Sequence, residues 1–177
     1  MKRLDKIIDR IVYAGGYFSG WLVPLMMMLV FVEVFMRYVL HRPPMVADEF
    51  AAYMLVTVAY LGLAQTWKEG GHPRITALVG ILPAKVASWV RLTVLVIAFA
   101  MAIALCQSGY NYLERSFEIH MRSATWLNTP LQVPQMTILI GFVLFSLLLI
   151  VEIARTIRTI RAGKGVEKAE TVEGAAE

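Results

Sequence analysis

Cysteine is nearly absent from this chain. Cys106 stands alone among 177 residues, which excludes an internal disulfide and any cluster held by several thiolates. Charge is scarce as well: Asp, Glu, Lys and Arg make up 17%, against roughly 25% in soluble domains, and they gather outside the apolar runs. Histidine is limited to His41, His72 and His120, all in connections between runs. A haem anchor would need axial ligands, usually His, on helices within the apolar zone, so these positions argue against one. No Ser-His-Asp or Cys-His grouping, H-E-x-x-H, P-loop or Gly-x-Gly-x-x-Gly occurs. An enzyme is therefore not expected, nor is a catalytic, cofactor or metal site.

What the chain has is apolar length. It is 58% hydrophobic with a mean hydropathy of +0.63, beyond what a water-soluble domain tolerates. These figures indicate one all-α membrane domain over residues 1–161, with four transmembrane helices arranged as two helical hairpins. The spans are expected at about residues 13–40, 47–67, 87–113 and 134–154. The net charge of +4 does not signal nucleic acid, because the basic residues flank apolar spans and form no soluble basic face.

Residues 2–12 form an amphipathic pattern, with Leu4, Ile7, Ile8, Ile11 and Val12 on one stripe. Such a helix suits a membrane surface better than a cleaved signal peptide, since two acids interrupt it and no small-x-small site follows. Pro24 is placed to bend the first span. After the second span, Lys68-Glu69-Gly70-Gly71-His72-Pro73 stops the helix. Ile75, Leu78, Val79 and Leu82 then suggest a short interfacial helix in the middle connection, ended by Pro83. The third span turns polar at Gln107, Ser108 and Asn111, and Glu114 to Gln132 reads as a polar loop. The tail 162–177 is small and charged and is expected to be a disordered cytoplasmic segment.

Basic residues set the orientation. Lys2, Arg3, Lys6, Arg10, Lys68, Arg74, Lys85, Arg91, Arg155, Arg158, Arg161, Lys164 and Lys168 fall on one side, against Arg37, Arg42, Arg115 and Arg122 on the other. Both termini are thus expected in the cytoplasm. Trp21, Trp67, Trp89 and Trp126 fall near span ends, where an aromatic belt would sit.

The hairpin from Phe31 to Trp67 organises the rest. Glu33 and Arg37 are four apart and share a helix face, while Asp48 and Glu49 open the second helix, where the backbone dipole favours carboxylates. The polar turn His41-Arg42-Pro43-Pro44 brings all of them to one level, so Arg37 could bridge the two arms. Arg37 and Tyr38 could equally be a snorkelling interfacial anchor. Gly62 favours close helix packing over a substrate role, and Met26-Met27-Met28 favours adaptable packing over a metal site. Glu33, Arg37, Tyr38, Asp48, Glu49 and Gly62 are the candidate structural and interface residues. Ionisable groups deep in a span would mark a transport path, but only Glu33 and Arg37 come near, and no inverted repeat or pair of broken helices is present.

Arg37-Tyr38, the polar turn, Asp48-Glu49, Gly62 and Gly71-His72 together resemble the small membrane subunit, DctQ type, of tripartite ATP-independent periplasmic (TRAP) transporters. That family carries an Arg-Tyr, a Trp-x-Glu-Glu, a glycine in the second span and a Gly-x-His. Here Val46 stands in place of the Trp, Asp48 in place of the first Glu, and Gly71 and His72 are adjacent. Span number and loop sizes agree over roughly residues 1–160. The resemblance implies a non-catalytic subunit in the bacterial inner membrane. Its partners would be a large multi-span permease subunit, a periplasmic solute-binding protein and membrane lipid. It further implies uptake of organic acids such as C4-dicarboxylates on an ion gradient, with this chain as scaffold. A membrane anchor for a redox or assembly complex and a stand-alone small transporter remain open.

The orientation is checked with impermeant thiol reagents in intact cells, in a background lacking Cys106. Single cysteines near Gly71 and in the tail should stay unlabelled, while one at Ser123 should label. Labelling of the tail from outside would reverse the assignment.

Overall fold

A computed structural model of the chain describes residues 2–42, 44–69, 83–125 and 127–161. Four helices account for almost all of them: α1 (Lys2–Tyr38), α2 (Ala47–Lys68), α3 (Ala84–Glu118) and α4 (Gln132–Arg161). Apart from an isolated bridge between Arg122 and Pro130, the described residues contain no extended pairing. The interfacial helix expected around residues 74–83 falls almost wholly outside the described residues, as do Gly71, His72, Trp126 and the tail.

Each hairpin packs on itself, α1 on α2 and α3 on α4, and the hairpins join through α2 and α4. The order across the bundle is α1, α2, α4, α3, so the central pair is flanked by the two longest helices. At about 1.5 Å per residue, α2 is roughly 33 Å long and α1 roughly 55 Å; a hydrocarbon core needs about 30 Å. All four helices are long and apolar enough to cross a membrane, yet only 6% to 22% of their most apolar windows is buried inside the chain. The apolar surround of these helices must therefore come mostly from outside the chain.

The N-terminal stripe does not lie apart on a surface. The helix runs unbroken through Gly15 and Gly16 into the first span. Val12 is 1% exposed, in a core cluster with Ala64 and Leu148, and Ile8 packs against it. α1 also continues through Pro24. Leu95, Ala102 and Leu149 form a second core between α3 and α4. Trp67 and Phe145 touch both clusters and meet edge to face at 5.5 Å. Trp67 is thus a core residue as much as a belt residue, whereas Trp21 and Trp89 are exposed. α3 extends through Glu118, taking Glu114 and Arg115 out of the expected loop and into helix. It ends with His120 at φ 50°, where the Met121 and His120 amides return to the carbonyls of Ser116 and Phe117. That pattern closes a helix with a left-handed residue.

Close approach occurs at Gly141, not at Gly62. A Cβ on Gly141 would lie 2.5 Å from the Tyr60 carbonyl oxygen, a backbone atom that cannot rotate away. A Cβ on Gly62 would meet Ser19 at an ordinary 3.8 Å. Gly141→Ala should therefore cost about 1–3 kcal/mol by overpacking, and Gly62→Ala should be nearly neutral. Thermal unfolding of the detergent-solubilised variants checks the contrast, and equal losses at the two sites would refute it.

Candidate functional site

Two polar tiers tie the helices together, one at each end of the bundle. The first is built around Glu33. This carboxylate is 4% exposed and reaches from α1 to the start of α2. There Oε2 accepts the amides of Val46 at 3.2 Å and Ala47 at 3.0 Å. The N-cap residue of α2, Val46, supplies no side-chain cap, so its orphan amides would otherwise lack an acceptor. A negative group there also opposes the positive end of the helix dipole. Arg37, one turn along α1, holds the other oxygen of Glu33 at 2.8 Å.

Glu49 completes this tier. It is 5% exposed and accepts the Tyr53 hydroxyl at 2.5 Å and the hydroxyls of Thr125 and Thr129. Tyr53 also meets Thr129 at 2.8 Å. The loop between α3 and α4 is thereby fastened to the first turn of α2, joining one hairpin to the other. The loop is itself closed across its base, where the Leu131 amide donates to the Met121 carbonyl, and Gln132 Nε2 at the start of α4 donates to the Ser116 carbonyl of α3.

The candidate residues thus divide. Glu33, Arg37 and Glu49 share the tier, but Arg37 pairs with Glu33 on its own helix and does not bridge to Glu49. The link between the arms is Glu33 bonding to backbone amides, which carry no signature in the residue types at Val46 and Ala47. Asp48 is exposed and enters none of these contacts. Tyr38 is 72% exposed, and Gly62 lies about 20 Å beyond Glu49 along α2, in the last third of that helix.

The second tier is not singled out from sequence, where its cations serve only as topology markers. Asp9 on α1 meets Lys68 of α2 at 2.9 Å and Arg155 of α4 at 3.1 Å. Arg155 also holds Glu152 at 3.1 Å, and Glu152 holds Arg91 of α3 at 3.1 Å. One run of ion pairs therefore visits all four helices. Lys68 additionally sits 4.1 Å above the Tyr13 ring. A signal was present: Asp9 and Glu152 are acids at the edges of apolar runs, on the side crowded with cations.

The tiers stand a membrane's width apart. Asp9 to Glu33 is about 36 Å of helix, and Ala47 to Lys68 about 32 Å. Between them, residues 11–32, 50–67, 92–113 and 132–151 contain no Asp, Glu, Lys or Arg. Among the described residues no three His, Cys, Asp or Glu side chains gather as metal ligands would. The arrangement is one of fixed carboxylates engaged by donors of the same chain, which serves cohesion.

Residues 26–159, well over half of the chain, match the family described as tripartite ATP-independent periplasmic transporters, DctQ component. A protein of Haemophilus influenzae named as a TRAP transporter small permease protein is 32% identical over 62 residues. That stretch covers 35% of this chain and 38% of the relative.

The geometry makes a sharp statement about coupling. In a double-mutant cycle on thermal stability, Glu33→Gln and Arg37→Gln should be clearly non-additive, because each removes the other's partner. Arg37→Gln and Glu49→Gln should add within error, and Glu49→Arg should not rescue Arg37→Glu. Rescue in that charge-swapped pair would restore the bridge between the arms.

Proposed function

This chain belongs to the DctQ component family of tripartite ATP-independent periplasmic transporters, and we propose that it is the non-catalytic scaffold against which the large permease subunit works. In this reading it lies in the bacterial inner membrane with both termini in the cytoplasm. A periplasmic solute-binding protein delivers an organic acid, of the C4-dicarboxylate kind or a related carboxylate, and an ion gradient drives uptake.

The observation that carries the scaffold role is the charge-free middle of all four helices. A carboxylate solute crossing the bilayer needs fixed cations or oriented donors at depth. In this chain Arg37, Lys68, Arg91 and Arg155 stand at the boundary tiers, each bound to a carboxylate of the same protein. A site for the travelling anion is better sought on a partner. The two tiers support the same view, since together they fasten every helix to another at the level where water begins, as a fixed frame requires.

Reconstitution tests the proposal. Proteoliposomes holding this chain alone should take up no radiolabelled dicarboxylate under an imposed ion gradient. Adding the large permease subunit and the solute-binding protein should produce uptake. Uptake by the chain alone would overturn the scaffold role, and failure of the complete system across organic acids would overturn the substrate class.

A further inference from the structure

The ends of the bundle differ in charge. Among the described side chains, the tier of Asp9 and Glu152 has Arg10, Lys68, Arg91, Arg155, Arg158 and Arg161 against three acids, Asp9, Glu69 and Glu152. The opposite end has Arg37, Arg42, Arg115 and Arg122 against five, Glu33, Asp48, Glu49, Glu114 and Glu118. One end is therefore cationic and the other slightly anionic.

On α4 this charge continues an exposed apolar stripe. Ile140, Val143, Leu147 and Ile150 are spaced three or four apart and lie on one face, each between 40% and 53% exposed. Carrying the same spacing onward reaches Ile157, Arg158 and Arg161, all of them exposed. The stripe is apolar for about three turns and then ends in two guanidinium groups. Arg158 lies about 9 Å beyond Glu152 along the helix, and its long stem lets the guanidinium settle at headgroup level. Arg161, a turn further, can reach back along its aliphatic stem.

We propose that this face of α4 is a seat for an anionic phospholipid, with acyl chains along Ile140 to Ile150 and the phosphate held by Arg158 and Arg161. Guanidinium and phosphate match in charge and in paired donor–acceptor geometry. A guanidinium carries five N–H donors, so a contact that Arg158 already makes leaves donors for a phosphate oxygen. The excess of cations around the seat selects a lipid of net negative charge over a zwitterionic one, although both carry a phosphate. The seat does not depend on the transport role, only on the chain's place in a bilayer.

The test uses the full chain purified in a neutral detergent, with thermal unfolding followed on adding phosphatidylglycerol, phosphatidylcholine or inorganic phosphate. Phosphatidylglycerol should raise the midpoint by several degrees, and the other two should leave it near the starting value. Arg158→Gln with Arg161→Gln should abolish the rise, Arg158→Lys with Arg161→Lys should keep most of it, and Arg115→Gln with Arg122→Gln at the other end should keep all of it. An equal rise with phosphatidylcholine overturns the charge selection, and an equal rise with inorganic phosphate makes this a site for soluble anions. A rise that survives the Arg158/Arg161 glutamine pair, or is lost with Arg115/Arg122, overturns the location. The comparison of lipids on the unaltered protein tests the charge selection, and if the glutamine pair fails to fold, the lysine pair and the Arg115/Arg122 pair still test the location.

Discussion

Helix α2 begins at a boundary between water and lipid with no side-chain cap of its own, and a carboxylate from another helix closes it. Glu33 is the acceptor for the amides of Val46 and Ala47. A buried carboxylate and unbonded helix-end amides are each costly in apolar surroundings, and bringing them together satisfies both. The contact also fixes where α1 must end relative to where α2 starts. Everything downstream inherits that register: Glu49, one turn into α2, is thereby placed under the loop that carries Thr125 and Thr129.

The far end of the bundle solves a different problem. Four helices emerging from lipid have little mutual hydrophobic attraction to hold them, since tails are as apolar as the helices themselves. There Asp9 and Glu152 are each shared between two cations, so a run of ion pairs passes from α2 to α1, α4 and α3. Between the tiers the chain relies on packing, with backbone against backbone where Gly141 lets α4 lie on Tyr60. Polar ties thus stand at both ends of the bundle, with close packing between them.

Much of this was legible along the chain. Four apolar runs, their breakers and the distribution of basic residues specify a bundle of membrane-spanning helices, because the bilayer as solvent admits few alternatives. The Glu33–Arg37 pair was legible too, since spacing on one helix is a local property. Other features were not. A bridge from Arg37 to the second arm, left open by the sequence, had the right charges at the right level, but Glu33 satisfied Arg37 first and hydroxyls from a loop some eighty residues distant satisfied Glu49. Gly62 and Gly141 look alike in sequence, and only the path of the neighbouring helix distinguishes a tight crossing from an ordinary one.

The division follows from what each level of description contains. Hydropathy, helix spacing and charge asymmetry are properties of a segment and its solvent, so the sequence by itself determined that the chain is helical and that four segments are long enough to span. Which helix caps α2, which side chains bury Glu49, and how Asp9 and Glu152 chain four helices together depend on the relative rotation and depth of elements far apart in the chain. Those are set by packing and by the need to satisfy every buried polar group at once, and only the tertiary structure decided them.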